Sequence, residues 1–177
     1  MKKDAIKSVV VLCAICLVVA ALMALTNRLT SPVIARAEEK AEQEALLLVL
    51  PDAEEFEALS MDSLPDTVSG VFRDKAGAGY AILLSVGGYD SSKPISLAVG
   101  ITEEGTVVKC HVISCTGETS GIGSRVSEAF FLDRFLGADA SLDGVDTIAG
   151  ATISSSAVRG AVADAFVAYE MAREVAK

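Results

Sequence analysis

Asp146-Thr-Ile-Ala-Gly-Ala-Thr-Ile-Ser154, near the C-terminus, is the stretch around which the rest of the chain is organised. Two more serines, Ser155 and Ser156, follow it, and the apolar spacing from Ser156 to Val175 predicts an amphipathic helix. Small residues allow a bulky group to approach the backbone, and hydroxyls beside a helix start favour an anion. We therefore expect this stretch to hold a phosphate-bearing cofactor.

The same serines could serve only as a helix cap, because Ser and Thr are preferred at that position. One cap needs one hydroxyl, whereas four are present here, on Thr152 and on residues 154–156. The small run Ala149-Gly-Ala151 leaves room for a flat partner, and a second small-residue loop, Glu118 to Gly123, can close over it. These features favour a binding site over a simple cap.

Charge excludes some classes of partner. The 177 residues carry a formal net charge of −9, of which the segment before Ser8 contributes +2, so the chain from Arg28 onward carries −11. A domain this acidic repels phosphate backbones, which makes nucleic-acid binding and strong attraction to anionic lipid headgroups unfavourable.

The run from Ser8 to Asn27 has no charge and is long enough to span a bilayer as a helix. A signal peptide is the alternative, but its apolar core is shorter and a small-x-small cleavage site is missing after Asn27. Lysines precede the run, and only Arg28 follows it closely. This asymmetry predicts an uncleaved anchor at the cell membrane with a single span, a cytoplasmic N-terminus and an extracytoplasmic C-terminal domain.

Thr30-Ser31-Pro32 has the pattern of a helix start, and the following run to Leu50 is rich in strong helix formers. A solvated stalk is the alternative, but the run Leu46 to Leu50 is too apolar for one, so we expect that end to be packed. The expected organisation is a tail at 1–7, a transmembrane helix at 8–27, an amphipathic connecting helix at 28–51 and a folded domain at 52–177.

The folded domain is expected to begin with an acidic, irregular connector over residues 52–69. Four β-rich runs follow, separated by turn residues, and they predict a small antiparallel sheet of three or four strands. A short helix is expected over Ser127–Phe135, so the fold class is α+β with helices flanking the sheet. The β-rich runs are Val71–Arg73, Tyr80–Val86, Ile95–Ile101 and Thr106–Ser114.

The cysteines and the only histidine do not form a zinc pattern, so no metal site is expected. Cys13 and Cys16 have C-x-x-C spacing, but within an apolar helix they are better explained as small apolar residues. Cys110 and Cys115 are five residues apart in a predicted strand, so they point to opposite faces and are not expected to pair.

Asp146, Ala149, Gly150, Ala151, Thr152 and Ser154 together resemble the flavinylation motif of FMN-binding domains, D-x-x-[small]-G-A-T-x-[S/T]. The resemblance implies that a flavin transferase esterifies FMN, through its phosphate, onto Ser154. The family usually has Ser or Thr at the place of Ala149 and often Thr at the place of Ser154. It further implies that Thr152 and the backbone near Gly150 and Ala151 hold the phosphate. Asp146 would order the loop or help the transferase to hold a metal.

A second block, Glu118-Thr119-Ser-Gly121-Ile-Gly123, strengthens the resemblance, with Ser120 standing where the family usually has Pro. With one N-terminal span and the strand order above, the chain resembles the G subunit of the Rnf-type ion-translocating electron-transport complex. The C subunit of the sodium-pumping NADH:quinone oxidoreductase shares the plan. The resemblance implies that Glu118, Thr119, Gly121 and Gly123 lie over the flavin ring.

The function implied is that of a membrane-anchored electron-transfer subunit with covalent FMN over residues 52–177. It would be a redox subunit of a translocase without complete activity alone, and its partners would be membrane and iron–sulfur subunits and a flavin transferase. Two alternatives remain at this stage: an FMN carrier of another extracytoplasmic reductase, or a tethered scaffold without redox function. The aromatic candidates for a ring contact are Tyr80, Tyr89, Phe130 and Phe131.

Overall fold

Helix α1 spans Lys2–Val49, and the computed structural model describes residues 2–61 and 63–175 of the chain. The residues of α1 are shared between two units, Met1–Lys40 and Ala41–Lys177. In the first unit the apolar side chains from Ile6 onward are exposed. Within the described residues, α1 is the one helix whose length and composition suffice to cross a membrane.

The predicted helix start at Thr30–Pro32 is wrong, because α1 continues through it with Pro32 inside. The Thr30 hydroxyl does not cap a new helix. It donates to the carbonyl of Thr26 in the preceding turn, at 2.9 Å. Hydroxyls can bond backward in this way without interrupting a helix.

The second unit contains a five-stranded sheet in which neighbouring strands along the chain pair antiparallel, in the order β1-β2-β3-β4-β5. The α+β class with an antiparallel sheet and flanking helices is therefore confirmed, with one or two strands more than expected. The strands are β1 (Phe56–Leu59), β2 (Val68–Asp74), β3 (Tyr80–Val86), β4 (Ile95–Ile101) and β5 (Val107–Ser114).

The predicted irregular connector at 52–69 is wrong in part, because β1 lies within it and pairs along β2 from Phe56↔Asp74 to Leu59↔Val71. The acidic residues around β1 weaken the strand signal. Its place is set by pairing with β2, which the local sequence does not show.

Both faces of the sheet are covered, which explains why β3 is apolar at consecutive positions. Ile82 and Leu84 belong to the core cluster that includes the C-terminal helix. Ala81 and Leu83 belong to a second cluster, formed with Ala45–Val49 at the end of α1. The expected packing of this end is thus confirmed for its buried side chains, since alternate residues of a strand point to opposite faces.

Three short helical segments replace the single helix predicted over Ser127–Phe135. The C-terminal helix begins at Thr152, four residues before the predicted start at Ser156, and this shift places Ser154 inside its first turn. The segments are α2 (Gly123–Ser127, 3₁₀), α3 (Ala129–Leu132), α4 (Asp133–Phe135, 3₁₀) and the long α5 (Thr152–Val175).

Asp74 is a fully buried carboxylate at the end of β2. Its Oδ1 accepts the N–H groups of Glu54 and Glu55, at 3.1 and 3.3 Å, and its Oδ2 accepts that of Ala78 at 2.9 Å. Burial by itself raises the pKa of this carboxyl, but these hydrogen bonds together hold the pKa below its usual value.

Asp74→Asn is expected to lower the free energy of unfolding at pH 7 by about 1–3 kcal/mol, because the amide nitrogen cannot accept a backbone N–H. A lowered folded-state pKa stabilises above the unfolded value, about 3.9, and this stabilisation is lost as the pH falls through the folded pKa. The stability of the variant, measured by urea unfolding between pH 7 and pH 2, should therefore fall less steeply with acid.

The exposed Asp52→Asn serves as the matched control and should keep the wild-type acid dependence. Equal slopes for Asp74→Asn and the wild type would contradict the structural role of this carboxylate.

Candidate functional site

A cleft of about 420 Å³ opens where α5 begins. Its walls come from the β3–β4 loop, the loop after β5 and the residues that enter α5. Sites for small molecules commonly have volumes of roughly 300–1,000 Å³, so the cleft is of suitable size. It is lined by Tyr89, Glu118, Thr119, Ile122, Gly123, Gly150, Ala151, Thr152, Ile153 and Ser154.

The entry to α5 is a tight turn. Gly150 has φ +82°, and the Ala151 N–H donates to the carbonyl of Ile148 at 3.0 Å. The first bond of the helix runs from the Ser155 N–H to the Ala151 carbonyl, at 2.9 Å. The N–H groups of residues 152–154 therefore precede the helical ladder, and with the helix dipole they give this end a partial positive charge.

One expectation about the backbone is corrected here. The N–H of Ala151 was expected to hold a phosphate, but in the structure it is used within the turn. The donors that the turn leaves over lie one to three residues further along, inside the helix.

The hydroxyls of the stretch have different surroundings. Ser154 is 3% exposed, and its Oγ donates to Oε2 of Glu118 in a short hydrogen bond. Thr152 lines the same cleft and is exposed. Ser156 faces a separate cavity of about 210 Å³. Ser154 is thus the hydroxyl of this group that faces both the cleft and a carboxylate.

Ser155 has a structural role. It is fully buried, its Oγ accepts the N–H of Ile148 at 3.0 Å, and its hydroxyl donates to the carbonyl of Ala151 at 2.8 Å. This serine fixes the turn before α5, so one of the four hydroxyls does stabilise the helix start.

Glu118 joins the three walls of the cleft. Its carboxylate is buried, with 8% of the residue exposed. Oε1 accepts the backbone N–H of Tyr89 from the β3–β4 loop at 2.8 Å, and Oε2 accepts the hydroxyl of Ser154 from α5. Glu118 had been expected over a flavin ring, yet it lies against the predicted acceptor.

Two glycines admit this carboxylate. A Cβ built at Gly88 would overlap Oε1 of Glu118, and one built at Gly123 would overlap Oε2 and approach the Ser154 hydroxyl. The absence of side chains at these positions therefore allows Glu118 to reach between two loops. Sequence reasoning included Gly123 but missed Gly88, for which no local signal exists.

Two predicted site residues lie outside the cleft lining. Gly121 is exposed at φ +74°, and its N–H donates to Ser124 Oγ at 2.9 Å, which shapes the loop. The side chain of Asp146 is exposed, while its carbonyl accepts a hydrogen bond from Arg134 at 2.9 Å. Arg134 was not singled out from the sequence, although it holds the start of the stretch.

The rim of the cleft is apolar. Tyr89, Ile122 and Ile153 are 69%, 51% and 60% exposed. Of the four aromatic candidates, Tyr89 alone is among the lining residues. Tyr80 is buried and stacks edge-on against Tyr169, with ring centroids 5.4 Å apart.

Metal and thiol chemistry have little support in the parts of the chain that the structure describes. No group of three or more His, Cys, Asp or Glu residues converges there. Cys110 and Cys115 are both free thiols, and burial raises the pKa of Cys110 to about 12, which keeps it protonated.

Comparison with known families decides the assignment. Residues 88–167 match the family described as FMN-binding domain, and residues 1–49 match the family described as RnfG N-terminal region. The chain belongs to the RnfG-type family of FMN-binding proteins. The resemblance inferred from the two motifs is thereby confirmed.

The RnfG-type chain also has a similar curated relative in Methanosarcina acetivorans, which is named as the G subunit of an ion-translocating oxidoreductase complex. The two are 29% identical over 184 aligned positions, which cover 97% of each chain. All residues that line the cleft fall within the matched FMN-binding domain.

Gly123→Ala is expected to lower the free energy of unfolding of the RnfG-type chain by about 1–3 kcal/mol, because the methyl group forces Glu118 away from Ser154. Gly160→Ala, on the exposed side of α5 with open space around its Cβ, should instead raise it by about 0.5–1 kcal/mol. Urea unfolding of both variants measures the difference, and equal effects of the two substitutions would contradict the close approach.

Proposed function

We propose that this chain is the membrane-anchored electron-transfer subunit of an Rnf-type ion-translocating oxidoreductase complex, and that it carries FMN as a phosphoester on Ser154. The buried contact between the Ser154 hydroxyl and the Glu118 carboxylate, at the base of a cleft in the FMN-binding domain, carries the proposal.

Ser154 suits the role of acceptor by position and by surroundings. It stands at the hydroxyl position of the flavinylation pattern, in the first turn of α5, and it lines the cleft. Ser155 is committed to the turn, and Ser156 faces a different cavity. An ester bond at Ser154 therefore anchors a phosphate where the helix start opens into the cleft.

The residues present fit a phosphate at this place. The N–H groups of residues 152–154 have no acceptor in the helical ladder, and the helix dipole favours negative charge beside them. Gly150 and Ala151 are small, so the backbone is accessible, and the exposed Thr152 hydroxyl adds a donor on the same side. These groups stabilise and orient the phosphate.

The apolar rim fits the flavin ring. Thr119, Ile122 and Tyr89 offer one polar and two apolar contacts along one side of the cleft, and Ile153 offers an apolar contact on the other. Gly121 and Gly123 allow the loop to turn tightly under them. Bound FMN supplies one- and two-electron transfer, while the protein supplies attachment, orientation and electrostatics.

The partners and place of the chain follow from its family. The Methanosarcina relative is named as a subunit of an ion-translocating oxidoreductase complex, so we assign other membrane and iron–sulfur subunits as partners. A flavin transferase is required to form the ester. The exposed Asp146 carboxylate lies at the surface, where a transferase can reach it. The apolar part of α1 serves as a single-span anchor, with the C-terminal domain outside the cytoplasm.

Co-expression with a flavin transferase should add one FMN minus water to the peptide that contains Ser154, detected by mass spectrometry. Ser154→Ala should abolish the label, whereas Ser156→Ala, which removes an exposed hydroxyl that faces the other cavity, should retain it. An unmodified, colourless wild-type protein would defeat the proposal.

The anchor is tested on the protein from membranes. We expect the full chain to remain in the membrane fraction after a high-salt wash and its mature N-terminus to precede residue 8, because an apolar span resists extraction by salt. N-terminal sequencing that finds a chain beginning near residue 28 would instead show a cleaved signal peptide.

A further inference from the structure

We propose that Glu118 is the catalytic base of flavinylation: it selects Ser154 as the acceptor and takes the proton from its hydroxyl. The inference rests on the proposed function, since it concerns the step by which Ser154 is modified. It assigns to the Glu118 carboxylate a role different from contact with the flavin ring.

Geometry supports the selection of one hydroxyl among several. The Ser154 Oγ–H already points at the Glu118 carboxylate, so the oxygen lone pairs are left for an electrophile. Thr152 lies two residues away on the same cleft, but no hydrogen bond links its hydroxyl to that carboxylate. A nucleophilic hydroxyl needs a base within hydrogen-bond reach, and Ser154 has one.

The carboxylate is held in place for this role. Oε1 is fixed by the Tyr89 N–H at 2.8 Å, and Oε2 is directed at Ser154. Gly88 and Gly123 carry no side chains that would displace the carboxylate from this position. A base that is positioned before the reaction loses little freedom during it.

The step balances with an activated FMN donor, one in which a nucleoside monophosphate is joined to the FMN phosphate by an anhydride bond. Ser154 Oγ attacks the phosphorus of the FMN part and forms the new O–P bond. The anhydride P–O bond breaks, and the nucleoside monophosphate leaves with its electrons. The proton of Oγ passes to Glu118, and no atom is oxidised or reduced.

Proton transfer also resolves a conflict of charge. The phosphodiester formed on Ser154 is an anion, and an ionised carboxylate in contact with Oγ repels it in a site shielded from water. Once Glu118 has taken the proton, it is neutral and can donate a hydrogen bond. The residue that activates the hydroxyl thus becomes compatible with the product.

The test measures flavinylation of the full chain by purified flavin transferase with flavin adenine dinucleotide as the donor, followed by peptide mass spectrometry. Glu118→Gln should lower kcat by about 100-fold, within the usual range for loss of general base catalysis. KM for the chain should remain unchanged, because the surface of the domain is the same. Glu128→Gln removes an exposed charge from the neighbouring loop and should match the wild type.

Two failures are distinguishable. A wild-type chain that takes no label at Ser154 overturns the proposed function. A wild-type chain labelled at Ser154 and a folded Glu118→Gln chain labelled at the same rate overturn the base while leaving the covalent site intact. Far-UV circular dichroism and thermal unfolding show whether each variant is folded.

A second variant covers a Gln substitution that does not fold. Glu118→Ala opens space beside Ser154, and added acetate should restore part of its labelling rate while leaving Glu128→Gln unchanged. A purely structural role is not rescued by a small carboxylate, so the absence of any rise with acetate contradicts the proposal.

Discussion

One buried carboxylate, that of Glu118, links the three segments that form the cleft. It accepts a backbone N–H from the β3–β4 loop and a hydroxyl from the first turn of α5. A buried charge is costly unless it is hydrogen-bonded, so the two loops and the helix start must keep their places together. Gly88 and Gly123 are part of the same constraint, because any side chain there would occupy the space of the carboxylate.

A comparison with Asp74 shows how the same chemical group serves two purposes. Asp74 is also buried, but its acceptors are occupied by backbone N–H groups, which do not react. It therefore stabilises the turn that joins β1 to the end of β2. One of the two donors to Glu118 is instead a hydroxyl at the base of an open cleft. The identity of the donor, more than burial, separates the structural carboxylate from the chemical one.

Helix α5 connects the site to the core. One side of the helix is buried against the sheet through Val158, Val162 and Phe166, while its first turn lines the cleft. The other face of the sheet is covered by the end of α1, so the sheet is held from both sides. A hydroxyl on the first turn of a helix so firmly packed is positioned more precisely than one on a free loop. The electron carrier proposed here thus places its attachment point on a helix that the core holds in place.

Local patterns in the chain were enough to establish the apolar N-terminal helix, the antiparallel sheet, the amphipathic C-terminal helix and the two motifs that identify the family. These depend on periodicity, composition and short spacing, which are local properties. Tertiary packing was needed to bring β1 into the sheet, to start α5 at Thr152 and to leave Asp146 at the surface. It also turned Glu118 from an expected ring contact into the partner of Ser154. These residues are 36 positions apart, and such a contact depends on how loops from different strands meet, which no local pattern contains.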